Sequence, residues 1–74
     1  MIDVKILVNP GNSNPILVFW QGYGKDLETK LLPGEAVIIH EVDENTMFLK
    51  GEPGDAVIVE VDGAPASLKV EKIQ

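Results

Sequence analysis

The side chains able to carry chemistry in this sequence are few, and their spacing decides what each could do. Carboxylates cluster at Glu41, Asp43 and Glu44, again at Glu52 and Asp55, and again at Glu60 and Asp62. Paired carboxylates can hydrolyse a glycosidic bond, and oxygen-rich turns can hold calcium. Hydrolysis needs a cleft that shifts one carboxyl pKa and binds sugar, and 74 residues broken into short segments leave little room for one. Calcium loops space their ligands as Asp-x-Asp/Asn-x-Asp/Asn-Gly, a pattern that Asp43-Glu44-Asn45-Thr46 lacks. These acids read as solvated turns, and on exposed strands as charges that discourage unwanted strand pairing.

The remaining catalytic candidates fare no better. His40 is the single imidazole and Cys is absent, so neither an imidazole cluster nor a thiolate zinc site can form. As a general base, His40 would need a nucleophile and an orienting group. The hydroxyls are Ser13, Ser67, Thr29, Thr46 and Tyr23, with no elbow motif among them. Gly22-Tyr23-Gly24-Lys25 holds a Gly-Lys pair, but a phosphate-binding loop needs Gly-x-x-x-x-Gly-Lys-Ser/Thr leading into a helix. Here Phe19 and Asp26 occupy the outer positions and strand-like runs flank the segment, so a hairpin turn is expected. The expectation is a protein that is not an enzyme, with no catalytic residue, no metal and no cofactor.

Aromatics offer more. Trp20 and Tyr23 flank the glycine turn, and Phe19 alternates with Trp20, so one of the two faces a core and the other faces outward. Trp and Tyr are the residues that anchor binding hot spots. The expected interface is the Trp20 face of its strand with Tyr23, together with the loop bearing Asn9, Pro10, Asn12 and Asn14. A carbohydrate-stacking platform would use the same aromatics and is the alternative reading.

Charge narrows the partner. All six basic residues are Lys, none is Arg, and twelve acids bring the net charge to -6. Phosphate neutralisation dominates nucleic-acid affinity, so no nucleic-acid partner is expected, and an anionic membrane surface repels such a chain as well. A basic or uncharged protein fits. The start, Met1-Ile2-Asp3-Val4-Lys5, lacks the basic region and long apolar stretch of a signal peptide, and no segment has the roughly 20 apolar residues of a membrane helix. A complete small reading frame expressed in a cytoplasm is the expectation.

The elements that must position these residues follow period two. Ile2, Val4, Ile6 and Val8 alternate with Asp3, Lys5 and Leu7 as a half-buried strand, and residues 9–15 are turn formers with two prolines. Further strands are expected at 16–20, 27–32, 36–41, 46–50, 56–61 and 67–73. One domain, 1–74, is predicted: all-β, a small antiparallel β-sandwich or barrel of about seven short strands without substantial helix.

Two further patterns bear on assembly. Pro33-Gly34-Glu35-Ala36-Val37-Ile38-Ile39 recurs, displaced by twenty residues, as Pro53-Gly54-Asp55-Ala56-Val57-Ile58-Val59. Each Pro-Gly suits a type II turn before an exposed strand, and a pseudo-symmetric pair of hairpins is the alternative meaning. In addition, 16–20 and 36–39 are apolar on both faces. Such runs belong to strands covered on both sides, and so small a chain has no helices to cover the second. Without Cys it also lacks the staples that small domains use, so a protein partner or self-association is expected.

The early apolar strand, the Asn/Pro/Gly loop, the Lys-only acidic composition and the run Leu31-Leu32-Pro33-Gly34-Glu35-Ala36-Val37-Ile38 together resemble the small β-sandwich decoration or cement proteins of tailed-phage capsids. The resemblance implies a structural role in the virion, assembled in the host cytoplasm. It implies binding to the major capsid protein at subunit junctions, commonly as a homotrimer, without catalysis.

Overall fold

A computed structural model describes residues 2–52, 54–68 and 70–72. The chain runs through β1 (Ile2–Val8), β2 (Ile16–Gly22), β3 (Lys25–Leu31), β4 (Ala36–Val42), one turn of 3-10 helix (Glu44–Thr46), β5 (Phe48–Gly51), β6 (Val57–Val61), β7 (Ala64–Ala66) and β8 (Val70–Lys72). They form two four-stranded sheets, in the orders β4-β1-β6-β7 and β3-β2-β5-β8. Of the all-β sandwich or barrel of about seven strands expected from period two, the fold is the sandwich, with eight strands among the described residues.

Alternation sets what each sheet buries. Val4, Ile6 and Val8 of β1 point inward against Ile16 and Val18 of β2, Leu49 of β5 and Val59 of β6, in one core. Ile6, Val8, Ile16, Val18 and Leu49 are 0% exposed. Each fully buried side chain of this size contributes about 1.5–3 kcal/mol, and no polar side chain is buried among the described residues. The core between the sheets is apolar throughout the described residues.

Several details correct the sequence reading. The strand expected at 46–50 starts at Phe48, because Asp43 draws the preceding residues into the 3-10 turn. Its Oδ1 accepts the Asn45 N–H at 3.0 Å, and its carbonyl accepts the Thr46 N–H at 3.0 Å. Ala64–Ala66 is an unexpected strand, placed at a sheet edge by its pairing with β6. The expected 67–73 strand is seen at Val70–Lys72, and its Lys69 and Ile73 lie outside the described residues. β5 and β8 pair in parallel rather than antiparallel.

The Pro-Gly echo has a structural meaning. Both copies are turns closed in the same way, Glu35 N–H to Leu32 C=O at 2.9 Å and Asp55 N–H to Glu52 C=O at 3.1 Å. In each, the acid's carboxylate accepts the first residue's N–H, Leu32 to Glu35 Oε1 at 2.7 Å and Glu52 to Asp55 Oδ2 at 3.3 Å. Gly34 and Gly54 supply φ of 87° and 92°, as the third position of a type II turn requires; Pro53 lies outside the described residues. The turns are not hairpins, because each carries the chain from one sheet to the other. β3 and β5 flank β2 in one sheet, while β4 and β6 flank β1 in the other. Glu28 and Phe48 both face Phe19, Thr29 and Leu49 both face Val18, and Lys30 and Lys50 both face Leu17. The second arch is therefore the first moved sideways by two strands, about 10 Å. In the β1 sheet it slips by two residues, so that Ile38 and Glu60 share Lys5.

Candidate functional site

The hairpin joining β2 to β3 turns on two residues, Tyr23 and Gly24, with φ of 53° and 72°. Positive φ at both central positions is the type I′ geometry that matches strand twist. Gly24 accepts it freely, whereas a bulky side chain at Tyr23 is strained there. Tyr23 is 80% exposed, and its hydroxyl donates to Glu41 Oε2 at 3.4 Å. The Gly-Lys pair of this segment is hairpin, as its flanks suggested.

Trp20 lies on the inner face of β2 with Ile16 and Val18, half-buried and packed against the core. The face of strand two expected to bind is thus the one the sandwich closes on. Phe19 and Leu17 occupy the outer face. Phe19 stacks on Phe48 across the β2/β5 pair, ring centroids 4.9 Å apart and 12° from coplanar, and Lys50 Nζ sits 5.9 Å from the Phe48 centroid. Alternation alone states that Phe19 and Trp20 oppose each other; the partner strands decide which is inside.

The expected interface residues divide between two ends of the molecule. Trp20 and Tyr23 line one opening together, with Leu27 of β3 and Ile38 and His40 of β4. Asn14 lines a separate depression with Leu17, Lys30 and Glu52. The 9–14 loop is bonded to the fold. Asn9 Oδ1 accepts the Gly11 N–H at 2.8 Å, Asn12 Nδ2 donates to the Ala56 carbonyl at 2.8 Å, and Ala56 N–H donates to Asn12 Oδ1 at 3.1 Å. Asn12 is a side chain acting as a strand edge, and its polar atoms are engaged by the protein itself. Pro10 and Asn14 remain exposed.

His40, read as surface-facing, has a side chain 69% exposed, with Nδ1 3.2 Å from Asp3 Oδ2. A bulge places it there. Val4 pairs with Ile39 and Ile2 with Val42, so β4 carries one residue more than β1 over this stretch, and Glu41 takes φ of 57°. Asp3 Oδ1 accepts the Glu41 N–H at 3.2 Å. That bond first, and the His40 hydrogen bond second, hold the Asp3 carboxyl below the ordinary aspartate range. Hydrogen bonds that favour the charged form lower a carboxyl pKa. Among the described residues, no three of the His, Asp and Glu side chains converge as metal ligands would.

Two depressions at the hairpin end of the β2 sheet share Gln21, Asp26 and Thr46. One, ≈ 260 Å³, adds Phe19, Trp20, Leu27 and Phe48; the other, ≈ 280 Å³, adds Tyr23, Lys25 and Asp43. Gln21 Nε2 donates to Asp26 Oδ1 at 2.9 Å, and Thr46 Oγ1 accepts the Gln21 N–H at 3.1 Å.

The outer face of the β1 sheet carries Ile38, from the 36–39 run expected to be apolar on both faces, and brings Leu7 and Ile58 beside it. Leu7 lies between Ala36 on β4 and Ile58 on β6, and Ile38 faces Lys5 in the next row. Ile38 and Ile58 are each 56% exposed. The signal was present in Leu7, which shares its phase with Asp3 and Lys5. Comparison with protein-family models, curated proteins and solved structures finds no match to this chain.

Proposed function

We propose that this protein is a non-enzymatic structural accessory of a tailed-phage virion, binding the major capsid protein at subunit junctions as a homotrimer. The observation that carries the docking role is the Ala36–Leu7–Ile58 row with Ile38, an apolar stripe across the outer face of a sheet, on which Ile38 and Ile58 stay exposed among the described residues. An antiparallel sheet with one face in water alternates polar residues outward; this one places two isoleucines there. The capsid setting is supported by the sequence resemblance, and the sandwich fold agrees with it.

The test is co-sedimentation with capsids assembled from the major capsid protein and lacking accessory proteins, together with light-scattering mass. Wild type is expected to sediment with the capsids, and Ile58→Lys to remain folded by circular dichroism yet stay in the supernatant. Wild type that leaves capsids untouched and runs as an unassociated monomer overturns the reading.

A second reading is favoured by the hairpin-end depressions, where aromatic rings border the Gln21–Asp26 pair and the Thr46 hydroxyl. Ring faces and planar polar groups suit a neutral sugar, with few oriented polar groups on an apolar surface. Under this reading a neutral oligosaccharide raises the melting temperature of wild type and leaves Phe48→Ala unmoved.

A further inference from the structure

We infer that β4 is a docking edge, and that its occupant is an extended segment of the partner protein with apolar residues on one face and Lys or Arg on the other. The inference rests on the docking role proposed above and specifies its geometry.

Each sheet ends in two edges, and three of the four are protected. β7 is three residues long and contains Pro65, and β8 is three residues long as described. β3 carries Lys25, Asp26, Glu28 and Lys30. Short edges, proline and charge are the means by which proteins prevent strand addition. β4, Ala-Val-Ile-Ile-His-Glu-Val, is seven residues with neither Lys nor Pro. Its bulge lies at the far end, after Ile39, and leaves the first four residues in unbroken register with β1.

The backbone phase of β4 follows from its pairing. Val8 N–H donates to the Glu35 carbonyl at 3.0 Å, so residues 35, 37 and 39 direct their polar groups toward β1. Those of Ala36, Ile38 and His40 point away from the sheet. Among the described residues no strand pairs with that edge. Between β4 and β3 lies a gap of ≈ 500 Å³, lined by Val37 and Ile39 of β4, Leu27 and Thr29 of β3, and Trp20 of β2. Val37, Leu27, Thr29 and Trp20 point inward yet are only half-buried. A strand bonded to Ala36, Ile38 and His40 would place every second side chain into this gap, the arrangement of peptide recognition by strand addition.

Charge selects the occupant. Glu28 lines the gap and no Lys does among the described residues, Glu41 follows at the bulge, and the chain as a whole carries -6. A second copy fits poorly, because antiparallel β4 pairing centred on Ile38 sets Glu35 against Glu41 of the other copy, and like charges directly opposite destabilise a strand pair. Lys5 faces Ile38 from the next strand, so the opposite charge that a basic, apolar segment meets lies at the two ends of β4, in Glu35 and Glu41, and in Glu28 across the gap.

The test uses the full-length protein and a short peptide of alternating Val and Lys, with a Val and Glu peptide as control. Trp20 is the only tryptophan, so its emission reports the gap, and amide hydrogen exchange reports the edge. The Val/Lys peptide is expected to shift Trp20 emission and to slow exchange at Ile38 and His40, with the Val/Glu peptide at least about tenfold weaker. Ile38→Pro removes an N–H that the native sheet does not use, a position where edge strands tolerate proline, and is expected to abolish binding. Ile38→Lys, which keeps the N–H, is expected to weaken it. Equal binding of the two peptides overturns the inference, as does protection confined to other residues, or binding unchanged in both variants. Co-sedimentation with capsids that leaves the Ile38 and His40 amides unprotected also overturns it, while the docking role itself stands.

Discussion

Asn12 and Ala56, on separate segments of the chain, are joined by two hydrogen bonds, with Asn12 Nδ2 donating to the Ala56 carbonyl at 2.8 Å and Ala56 N–H donating to Asn12 Oδ1 at 3.1 Å. The carboxamide thus reproduces the exchange between paired strand residues and extends β6 beyond Val57. It also ties the connection between the two sheets to the turn that begins at Glu52.

Removing that amide should register as a loss of folding stability. With about 1 kcal/mol for each hydrogen bond, Asn12→Ala is expected to lower the unfolding free energy by about 1–2 kcal/mol. Asn14→Ala, at an exposed neighbour, should stay within about 0.5 kcal/mol of wild type. Urea titration followed by Trp20 fluorescence measures both. Equal effects at the two positions would deny Asn12 its anchoring role.

Tyr23 predicts the opposite direction. A bulky residue held at φ 53° costs of order 1 kcal/mol or more, while Asn takes that conformation readily. Tyr23→Asn is therefore expected to stabilise the fold by about 1 kcal/mol, the Glu41 contact at 3.4 Å being too long and exposed to offset it. Strain of this kind persists where a side chain serves a purpose. Under the docking role proposed above, the same variant should bind capsids more weakly while melting at a higher temperature. A lower melting temperature would remove the strain argument.

Acid should weaken the bulge before it weakens the core. The folded-state pKa of Asp3 is depressed, chiefly by the Glu41 N–H and next by His40. Folding therefore favours its charged form. The stabilisation is complete above the unfolded aspartate pKa, about 3.9, and is lost as pH falls through the lower folded value. Asp3→Asn should be less stable than wild type at neutral pH, and the gap in melting temperature should close as pH falls below about 4. A gap that stays constant from neutral to strongly acid pH would show that the carboxylate charge contributes nothing.

What could be read from the residues, and what could not, divides along range. The Pro-Gly turns, the hairpin and the strands expected at 2–8, 16–20 and 36–41 are local matters of φ and alternation, and the sequence carries them, although pairing extends the second strand through Gly22, starts the third at Lys25 and so narrows the turn to Tyr23 and Gly24. The parallel β5–β8 pair and the strand at Ala64–Ala66 depend on distant partners, and Ala-Pro-Ala has no strand signal of its own. Trp20 has the residue type of a binding anchor. Its place inside follows from Val18 meeting Leu49 and Thr29 across the sheet, which no local pattern announces. The twenty-residue echo lay between these cases. It was visible as a repeat, and only pairing showed that Lys30 and Lys50 flank the same leucine.

That echo also breaks at one informative place. Leu31 and Gly51 are equivalent positions of the two arches; Leu31 is 6% exposed, whereas a Cβ on Gly51 would fall 2.5 Å from Ile16 Cδ1 and 3.2 Å from Val70 Cγ1. One side of Ile16 takes a leucine and the other has room for no side chain, because β8 closes in parallel beside β5. Gly51→Ala should overpack this corner and cost about 1–3 kcal/mol. Ile16→Val removes the obstructing Cδ1 and alone should cost about 0.5–1.5 kcal/mol. Combined, they should be less destabilising than their sum by at least about 0.5 kcal/mol, the coupling expected of residues in contact. Denaturant unfolding of the four proteins gives that term directly. Strict additivity would mean that the strand pair relieves the clash by moving β8 rather than Ile16, and Val70→Ala in the Gly51→Ala background would then restore the stability that Ile16→Val did not.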